Sequence, residues 1–359
     1  QIPNPNLKWE KTKSFNTGLT FILLDKRISV EAEYYYKRTK DAFMTKEVAS
    51  MNGVDSYAIN GGDIENKGFG VDVTLNPIRT KDWHWTLSTS FSKDYNKVKN
   101  DPDAQTYDYL DFLNGTVVVK DKAVNTFYSY KFIGLSPLSG GPVFDDYEER
   151  QHELDGLSKY ETFKKVLTAS GRREPYMSGN LTTNLSYKNI RLSGTFAYSL
   201  GAKVRLFQMY RSELIAPESN LRRELLDRWQ NPGDEKHTNI PAVIGRYEPY
   251  YFTYNEHWSQ TSYYNVQPFA SSLWNMYDYS DLRVVSGNYL KCNNLMVTYE
   301  FGERILSQLR MTRLALSLSG TNLFTISSKK LKGQTPTQGF TEVSLSDRPT
   351  YSFSLSVSF

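Results

Sequence analysis

The stretch YSFSLSVSF, residues 351–359, puts Tyr351, Phe353, Leu355, Val357 and Phe359 at every second position and a serine at each position between them. Side chains of an extended strand alternate between two faces, so the five apolar groups share one face and the serines share the other. An edge strand in a water-soluble sheet is normally blunted by a charge or a proline, and neither follows Pro349. Two settings fit the pattern. One is the last strand of a soluble β-sandwich; the other is the closing strand of a membrane β-barrel, with lipid on the apolar side and small polar groups facing the lumen.

Composition removes some alternatives. A length of 359 residues accommodates two or three soluble domains or part of one large barrel. Hydrophobic residues make up 39% of the chain and the mean hydropathy is negative. No run approaches the roughly 18 consecutive apolar residues of a transmembrane helix, which excludes a helical membrane protein. Barrel strands need only about 9–11 residues with apolar groups at alternate positions, so a barrel passes the same test. The 26 Tyr, 19 Phe and 6 Trp amount to 14% of the chain, an excess that suits both the interface girdles of outer-membrane barrels and sugar-binding surfaces.

The single Cys292 allows no disulfide framework within the chain, and His84, His152, His237 and His257 are too scattered for a metal site. A net charge of +4, with no basic run beyond pairs such as Arg222-Arg223, gives nucleic-acid binding no support. The opening QIPNPNLKWE has neither a basic nor an apolar signal region, so the expectation is a processed chain or one that starts inside a larger protein.

Strand-like runs recur upstream of the terminal one. KSFNTGLTFILL (13–24) aligns Phe15, Leu19, Phe21 and Leu23; after Asp25-Lys26-Arg27, Ile28, Val30, Ala32, Tyr34 and Tyr36 align. About 25 polar and glycine-containing residues, including MNGVDSYAINGGD, read as a loop before GFGVDVTLNP and, after a short turn, WHWTLSTSFS, with Trp83, Trp85, Leu87 and Phe91 on one face. An irregular stretch from about 98 to 175 precedes LTTNLSY, a two-residue turn at Lys188-Asn189, and IRLSGTFAYSLG. The longest connection, 205 to 286, leads to YLKCNNLMVTYEF, a moderate turn through Gly302 to Met311, RLALSLSGTNLF, a last polar loop and the closing strand.

These are nine strands whose connections read short, long, short, long, short, long, moderate, long. Up-and-down outer-membrane barrels sort their connections in this way, with short periplasmic turns and long external loops, whereas a sandwich has no reason to. Bacterial single-chain barrels close with an even number of strands, so nine implies that further strands belong on the N-terminal side.

In this order and spacing, NPNLKWEKTKSFNTGL, RISVEAEYYYKRTKD, GGDIENKGFGVDVTLN, GLSPLSGGPVF, RWQNPGDEKHTNIP, SDLRVVSGNYLKCNNLMVTYEF, LSLSGTNLFT and the terminal aromatic make the whole chain similar to the C-terminal part of a SusC/RagA-type TonB-dependent transporter of the Bacteroidetes outer membrane. Lys291-Cys292 stand where the family usually has arginine and leucine, and RPTYSFSLSVSF departs from its usual R-T-F-x-x-G-L-N-x-x-F. The resemblance implies an all-β transmembrane antiparallel barrel of 22 strands around a plug. Residues 1–359 would supply the last nine strands, with the plug and earlier strands absent from this chain. It further implies TonB-dependent import of a large nutrient, an oligosaccharide or a peptide, with a SusD-like lipoprotein as lid. The implied partners are that lid, the N-terminal plug and barrel portion, TonB acting through it, and outer-membrane lipid. Phe353, Leu355, Val357 and Phe359 resemble the signal read by the barrel-assembly machinery.

No H-E-x-x-H, G-x-S-x-G, P-loop or dinucleotide fingerprint is present, and the expectation is a non-enzymatic chain without cofactor or metal. The acidic run Asp145-Asp146-Tyr147-Glu148-Glu149 fits no calcium loop and reads as solvated; His84 reads as a lumen-facing position beside an aromatic girdle. Aromatic groups interleaved with amides and carboxylates in 205–286 suit sugar rings or peptides, or else pack the loop into an ordered dome. The candidates for contact with substrate or lid are Trp229, Tyr247, Tyr250, Tyr251, Trp258, Trp274 and Tyr277, with Phe127 and Tyr130 in a second loop layer. A secreted all-β carbohydrate-binding module, and a barrel with a secretion or enzymatic role, are the rival functions.

Overall fold

The computed structural model describes residues 5–47, 56–100, 107–145, 147–209, 222–243, 273–338 and 347–359. Nine strands form one antiparallel sheet: β1 (Lys11–Leu23), β2 (Ile28–Glu47), β3 (Ser56–Arg79), β4 (Trp83–Val98), β5 (Met177–Tyr187), β6 (Ile190–Leu200), β7 (Tyr289–Glu300), β8 (Arg313–Ser327) and β9 (Thr350–Ser358). Each pairs only with its neighbours in the chain, in the order β1 to β9, which is up-and-down topology.

Register carries the alternation of each strand across the sheet. Ile78, Trp85, Leu185, Leu192, Val297, Leu318 and Phe353 are successive cross-strand partners from β3 to β9 and make one apolar row. Ser29, Thr74, Ser88, Thr182, Thr195, Asn294, Thr321 and Thr350 form a row with no apolar member from β2 to β9. Direct partners point to the same face, so one face of the sheet is a broad apolar band and the other is hydroxyl- and amide-rich. The band stays open: Leu318 is 59% and Phe353 70% exposed. An apolar surface of this breadth far exceeds what a water-soluble monomer leaves uncovered, and hydrocarbon is the solvent that suits it.

The three tight turns, 24–27, 80–82 and 188–189, and the connection holding helix α4 (Glu303–Leu309) lie at one end of the sheet. Trp83 stacks on Tyr187 at 4.2 Å, Ile190 pairs with both Tyr187 and Tyr299, and Tyr299 meets Phe301 edge-on at 5.0 Å. This makes an aromatic fringe where the apolar band ends, the position of an interfacial girdle. His84 sits in the polar row His84, Ser186, Arg191, Thr298, Ser317, Ser354. The face expected for it from the alternation is the face it occupies.

One expectation gives way. The 25 polar and glycine-containing residues after β2 are mostly strand, because β2 runs to Glu47 and β3 begins at Ser56, with Glu47 paired to Ser56. The polar and glycine signals mark irregularities in the ladder instead of a loop. The register shifts between Thr39 and Phe43, Asp41 takes a left-handed φ of 56°, and a Cβ on Gly62 would lie 2.9 Å from that of Ala42. At 20 and 24 residues, β2 and β3 far exceed the about 9–11 that a tilted strand needs to cross hydrocarbon, so this hairpin projects well beyond the membrane on the long-loop side.

The two faces can be separated on adjacent residues of β4. Leu87→Arg in the full-length protein puts a charge on the apolar face and should cost roughly 2–4 kcal/mol near the midplane. Ser88→Arg, in the polar row, should cost much less. Heat-modifiable, assembled barrel on a semi-native gel is the readout, and equal losses from the two variants would contradict the assignment of faces.

Candidate functional site

At the other end of the sheet, the connections 99–176 and 201–288 fold onto each other. Helix α1 (Tyr109–Asn114) starts at a capping box in which Asp108 and Asp111 satisfy each other's backbone, and it ends at Gly115 with φ 74°. Helix α2 (Lys159–Val166) starts where Ser158 Oγ accepts from the Glu161 N–H, and it buries Tyr160, Phe163 and Val166. Helix α3 (Leu273–Asp278) buries Leu273, Trp274, Met276 and Tyr277. With Phe112, Tyr128, Tyr130 and Phe144 these groups make one largely aromatic core, in which Phe112 meets Tyr128 edge-on at 5.2 Å. Between the two connections, the Tyr130 N–H donates to the Tyr279 carbonyl at 3.2 Å and the Asp281 N–H to the Tyr130 carbonyl at 2.9 Å.

Two buried arginines tie this core together. Arg205 is 2% exposed; its Nη2 donates to the carbonyls of Leu113 at 3.1 Å and Tyr128 at 2.8 Å and to Ser129 Oγ at 3.2 Å. The rings of Phe127 and Tyr279 each lie 5.3 Å from its guanidinium. Burial pushes Arg205 down to about 9, still well above neutral, so the group is a cation at pH 7 and its donors meet carbonyls and π faces. Arg283 donates to Glu224 at 2.8 Å and to the Phe207 carbonyl at 2.6 Å, and Arg222 holds the other oxygen of Glu224 at 2.9 Å. Burial alone would raise the Glu224 carboxyl; the charges and hydrogen bonds of Arg283 and Arg222 outweigh it and hold the carboxyl below its ordinary range. Gln334, from the β8–β9 connection, donates to the Arg205 carbonyl at 3.1 Å and accepts from the Phe207 N–H at 2.8 Å, so three long connections meet at this point.

Beside the core lies an open cavity of about 1110 Å³, above the roughly 300–1,000 Å³ of most small-molecule sites. Its walls come from three places. The ribbon of Lys203–Arg205 paired with Val284–Ser286 supplies Lys203, Val285 and Ser286; the segment 224–240 supplies Asp227, Arg228, Asp234 and His237; the turn after β8 supplies Lys330 and Lys332. The lining is densely charged. Its one phenyl, phenol or indole ring, Tyr277, is 1% exposed, with Arg283 at 5.8 Å from that ring, and the other ring in the lining is the exposed imidazole of His237.

Of the aromatic candidates, Tyr247, Tyr250, Tyr251 and Trp258 lie outside the described residues. The other five are buried. Phe127, Tyr130, Trp274 and Tyr277 belong to or flank the aromatic core, and Trp229 packs with Leu135 and Ala242. Trp229 Nε1 donates to Glu235 at 3.2 Å and Trp274 Nε1 to the Ala242 carbonyl at 3.0 Å, so both indoles spend their polar atom on the protein. These five rings hold the loops in shape and have no free face for a ligand, which corrects their expected role as contacts. The charged groups that do line the cavity escape a search keyed on aromatics, although RRELLDRWQNPGDEKHTN (222–239) displays them as a dense mixed-charge run. In the acidic run, Asp145 pairs with Arg150 and lies 3.8 Å from Lys131.

Glu224 and Arg283 yield a test. Removing one member of a buried ion pair strands the other, so Arg283→Met should loosen the loop core by about 3–5 kcal/mol while leaving the sheet paired. The depressed Glu224 carboxyl stabilises the loops above its ordinary value of 4.5, and that contribution should vanish as pH falls through its lower folded value. Hydrogen exchange in 201–209 and 273–286 should rise in Arg283→Met and, for the wild type, below that pH. Unchanged protection in both cases would contradict a structural role for the pair.

The family model described as "TonB dependent receptor-like, beta-barrel" matches residues 1–204. TonB-dependent receptor P3 of Formosa agariphila is 25% identical over 339 residues, covering 90% of this chain and 30% of that protein. TonB-dependent receptor SusC of Bacteroides thetaiotaomicron is 26% identical over 310 residues, covering 83% of this chain and 27% of SusC. Among solved structures, the RagAB peptide importer in its open-open state superposes with a TM-score of 0.70 at 18% identity, covering 99% of this chain and 35% of that one. The chain thus spans about a third of the length of the relatives it matches.

Proposed function

Because the chain belongs to the TonB dependent receptor-like β-barrel family of the outer membrane, we propose that it forms wall and loops of an active importer for a large nutrient, either an oligosaccharide or a peptide. Residues 1–359 supply the last nine strands of a 22-stranded barrel around a plug. The lipoprotein lid closes over the long-loop end, TonB acts on the plug, and the terminal Phe353, Leu355, Val357 and Phe359 present the assembly signal. The chain contributes no chemical step.

The observation that carries this reading is the position of the cavity. It opens in a folded loop layer at the long-loop end of a sheet whose other end carries the tight turns and the aromatic fringe. The exposed apolar rows weigh against a secreted carbohydrate-binding module, which would have to keep them in water.

Deleting the receptor and re-expressing the full-length form in the deletion strain tests the proposal. Growth on one nutrient class, peptide mixtures or a polysaccharide, should be lost and then restored, and a proton-gradient uncoupler should stop uptake of that nutrient. A surface lipoprotein should co-purify with the receptor. Unchanged growth on every nutrient class together with purification of the receptor without a lipoprotein would overturn the reading.

A further inference from the structure

We propose that the outward face of β1–β4, where the apolar band ends toward the long loops, is a docking surface for the phosphorylated head group of an outer-leaflet glycolipid, with Lys67 and Lys93 as its central cations. The proposal rests on the outer-membrane orientation of the import reading, in which the long-loop end is external.

The alternation of the strands places this surface. Followed from the tight-turn end, the apolar face of β1, β2, β3 and β4 closes on Phe15, Tyr36, Phe69 and Phe91, and the next outward positions are Lys13, Arg38, Lys67 and Lys93. A ring followed by a cation, repeated on adjacent strands, is the order of groups that suits passage from hydrocarbon into a charged head-group layer. At the same end of β5–β9 the outward positions Met177, Leu200, Leu290, Ile326 and Tyr351 carry no charge, so the cations form a patch on one side of the sheet.

Lys67 and Lys93 stand on strands paired on both sides, which fixes their surroundings. The direct partners of Lys67 are Tyr36 and Tyr95, and those of Lys93 are Phe69 and Met177. The Lys93 ammonium lies 5.2 Å from the Tyr95 ring and 5.6 Å from the Tyr176 ring, and it has no carboxylate partner among the described residues. The carboxylates of this face are already spent. Asp63 holds Arg38 through hydrogen bonds of 3.0 and 2.7 Å, Glu65 holds Lys99 at 3.1 Å and engages Lys67 only loosely at 3.9 Å, and Asp121 holds Lys97 at 2.9 Å. Asp94, beside Lys93 in sequence, belongs to the opposite face, where Tyr35 donates to it. On the outer flank of the patch Lys13 faces Arg38 and Lys11 faces Lys40 directly, and like charges so placed repel one another unless an anion lies between them.

The ligand chemistry follows from depth and charge. Lys67 and Lys93 are diagonal neighbours on adjacent strands, within reach of each other for long side chains. A phosphate monoester carries about −1.5 to −2 charge at neutral pH and offers three strong acceptor oxygens, so a single group serves both ammonium groups. Acyl chains attached to it would lie along the apolar rows below, and the half-exposed Tyr95 presents a ring to the sugar that carries the phosphate. A zwitterionic head group brings a cation with each phosphate and gains far less from the same patch.

The test is native mass spectrometry of the full-length protein, delipidated in neutral detergent and incubated with diphosphoryl lipid A, the same lipid after dephosphorylation, or phosphatidylethanolamine. Diphosphoryl lipid A should be retained about tenfold more tightly than either of the others. Lys67→Gln combined with Lys93→Gln should remove about tenfold of its affinity, and added salt should weaken the wild type more than this variant. Lys26→Gln combined with Lys188→Gln, at the tight turns, removes the same charge and should leave binding unchanged. Only heat-modifiable, assembled barrel is scored, and Lys93→Arg should keep the affinity that Lys93→Met loses. Equal retention of the phosphorylated and dephosphorylated lipids, binding untouched by the paired substitution of Lys67 and Lys93, or an equal loss in the tight-turn variant would each overturn the proposal. Growth and uptake are read separately, so none of these failures touches the import reading.

Discussion

An unbroken backbone ladder in a fixed register is the constraint on which the rest of this structure depends. In hydrocarbon every backbone N–H and C=O has to be paired within the protein, and the period of two means that a slip of one residue exchanges the lipid face for the lumen face. The bulge between β6 and β7 shows how this is protected. Phe196 pairs with Cys292 and Thr195 with Asn294, so β7 absorbs Asn293 and the apolar and polar sets stay on their own sides. On the other flank of β7, Cys292 pairs with Phe324 and Asn294 with Thr321, and β8 takes up its extra residues where Asn322 has a left-handed φ of 52°. The irregularities coincide on both sides of one strand and leave the alternation intact.

The loops are built on a different principle. They have no common period and no lipid face, so their shape comes from an aromatic core and from buried cations. Arg205 reaches backbone groups of Leu113 and Tyr128, 92 and 77 residues away in sequence. Burying a guanidinium is expensive, and carbonyl acceptors that are already fixed in place offset that cost only in one arrangement of the chain. Such groups select a geometry more than they add stability. The cavity lies where the arginine anchors hold the ribbon, the segment 222–241 and the turn after β8 at fixed positions.

This difference explains what could be read from the sequence. All nine strands and the direction of their connections follow from alternation, because the membrane imposes it residue by residue. The β2–β3 hairpin was obscured by Asp41 and Gly62, whose types signal a turn but which here sit at ladder irregularities. In the loops, Trp229, Trp274 and Tyr277 are indistinguishable by type from ligand-binding aromatics, and only tertiary packing decides that they face inward. The roles of Arg205 and Arg283 depend on partners far away in the chain and leave no local mark. Family membership was legible because it rests on motifs in a fixed order, most of them on strands, and the charged lining of the cavity was not, because it is assembled from three separated segments.

The central claim, that alternate residues of each strand face lipid and water, is tested most directly by spin-label accessibility along β4. Single cysteines at successive positions from 85 to 92 of the full-length receptor, in a Cys292→Ser background and reconstituted in bilayers, would be labelled in turn. Collision with oxygen, which concentrates in lipid, and with a water-soluble nickel complex should oscillate with a period of two and in opposite phase. Oxygen should dominate at Trp85, Leu87 and Phe91, and the nickel complex at Thr86, Ser88, Ser90 and Ser92. Two profiles in phase, or flat along the strand, would contradict the account.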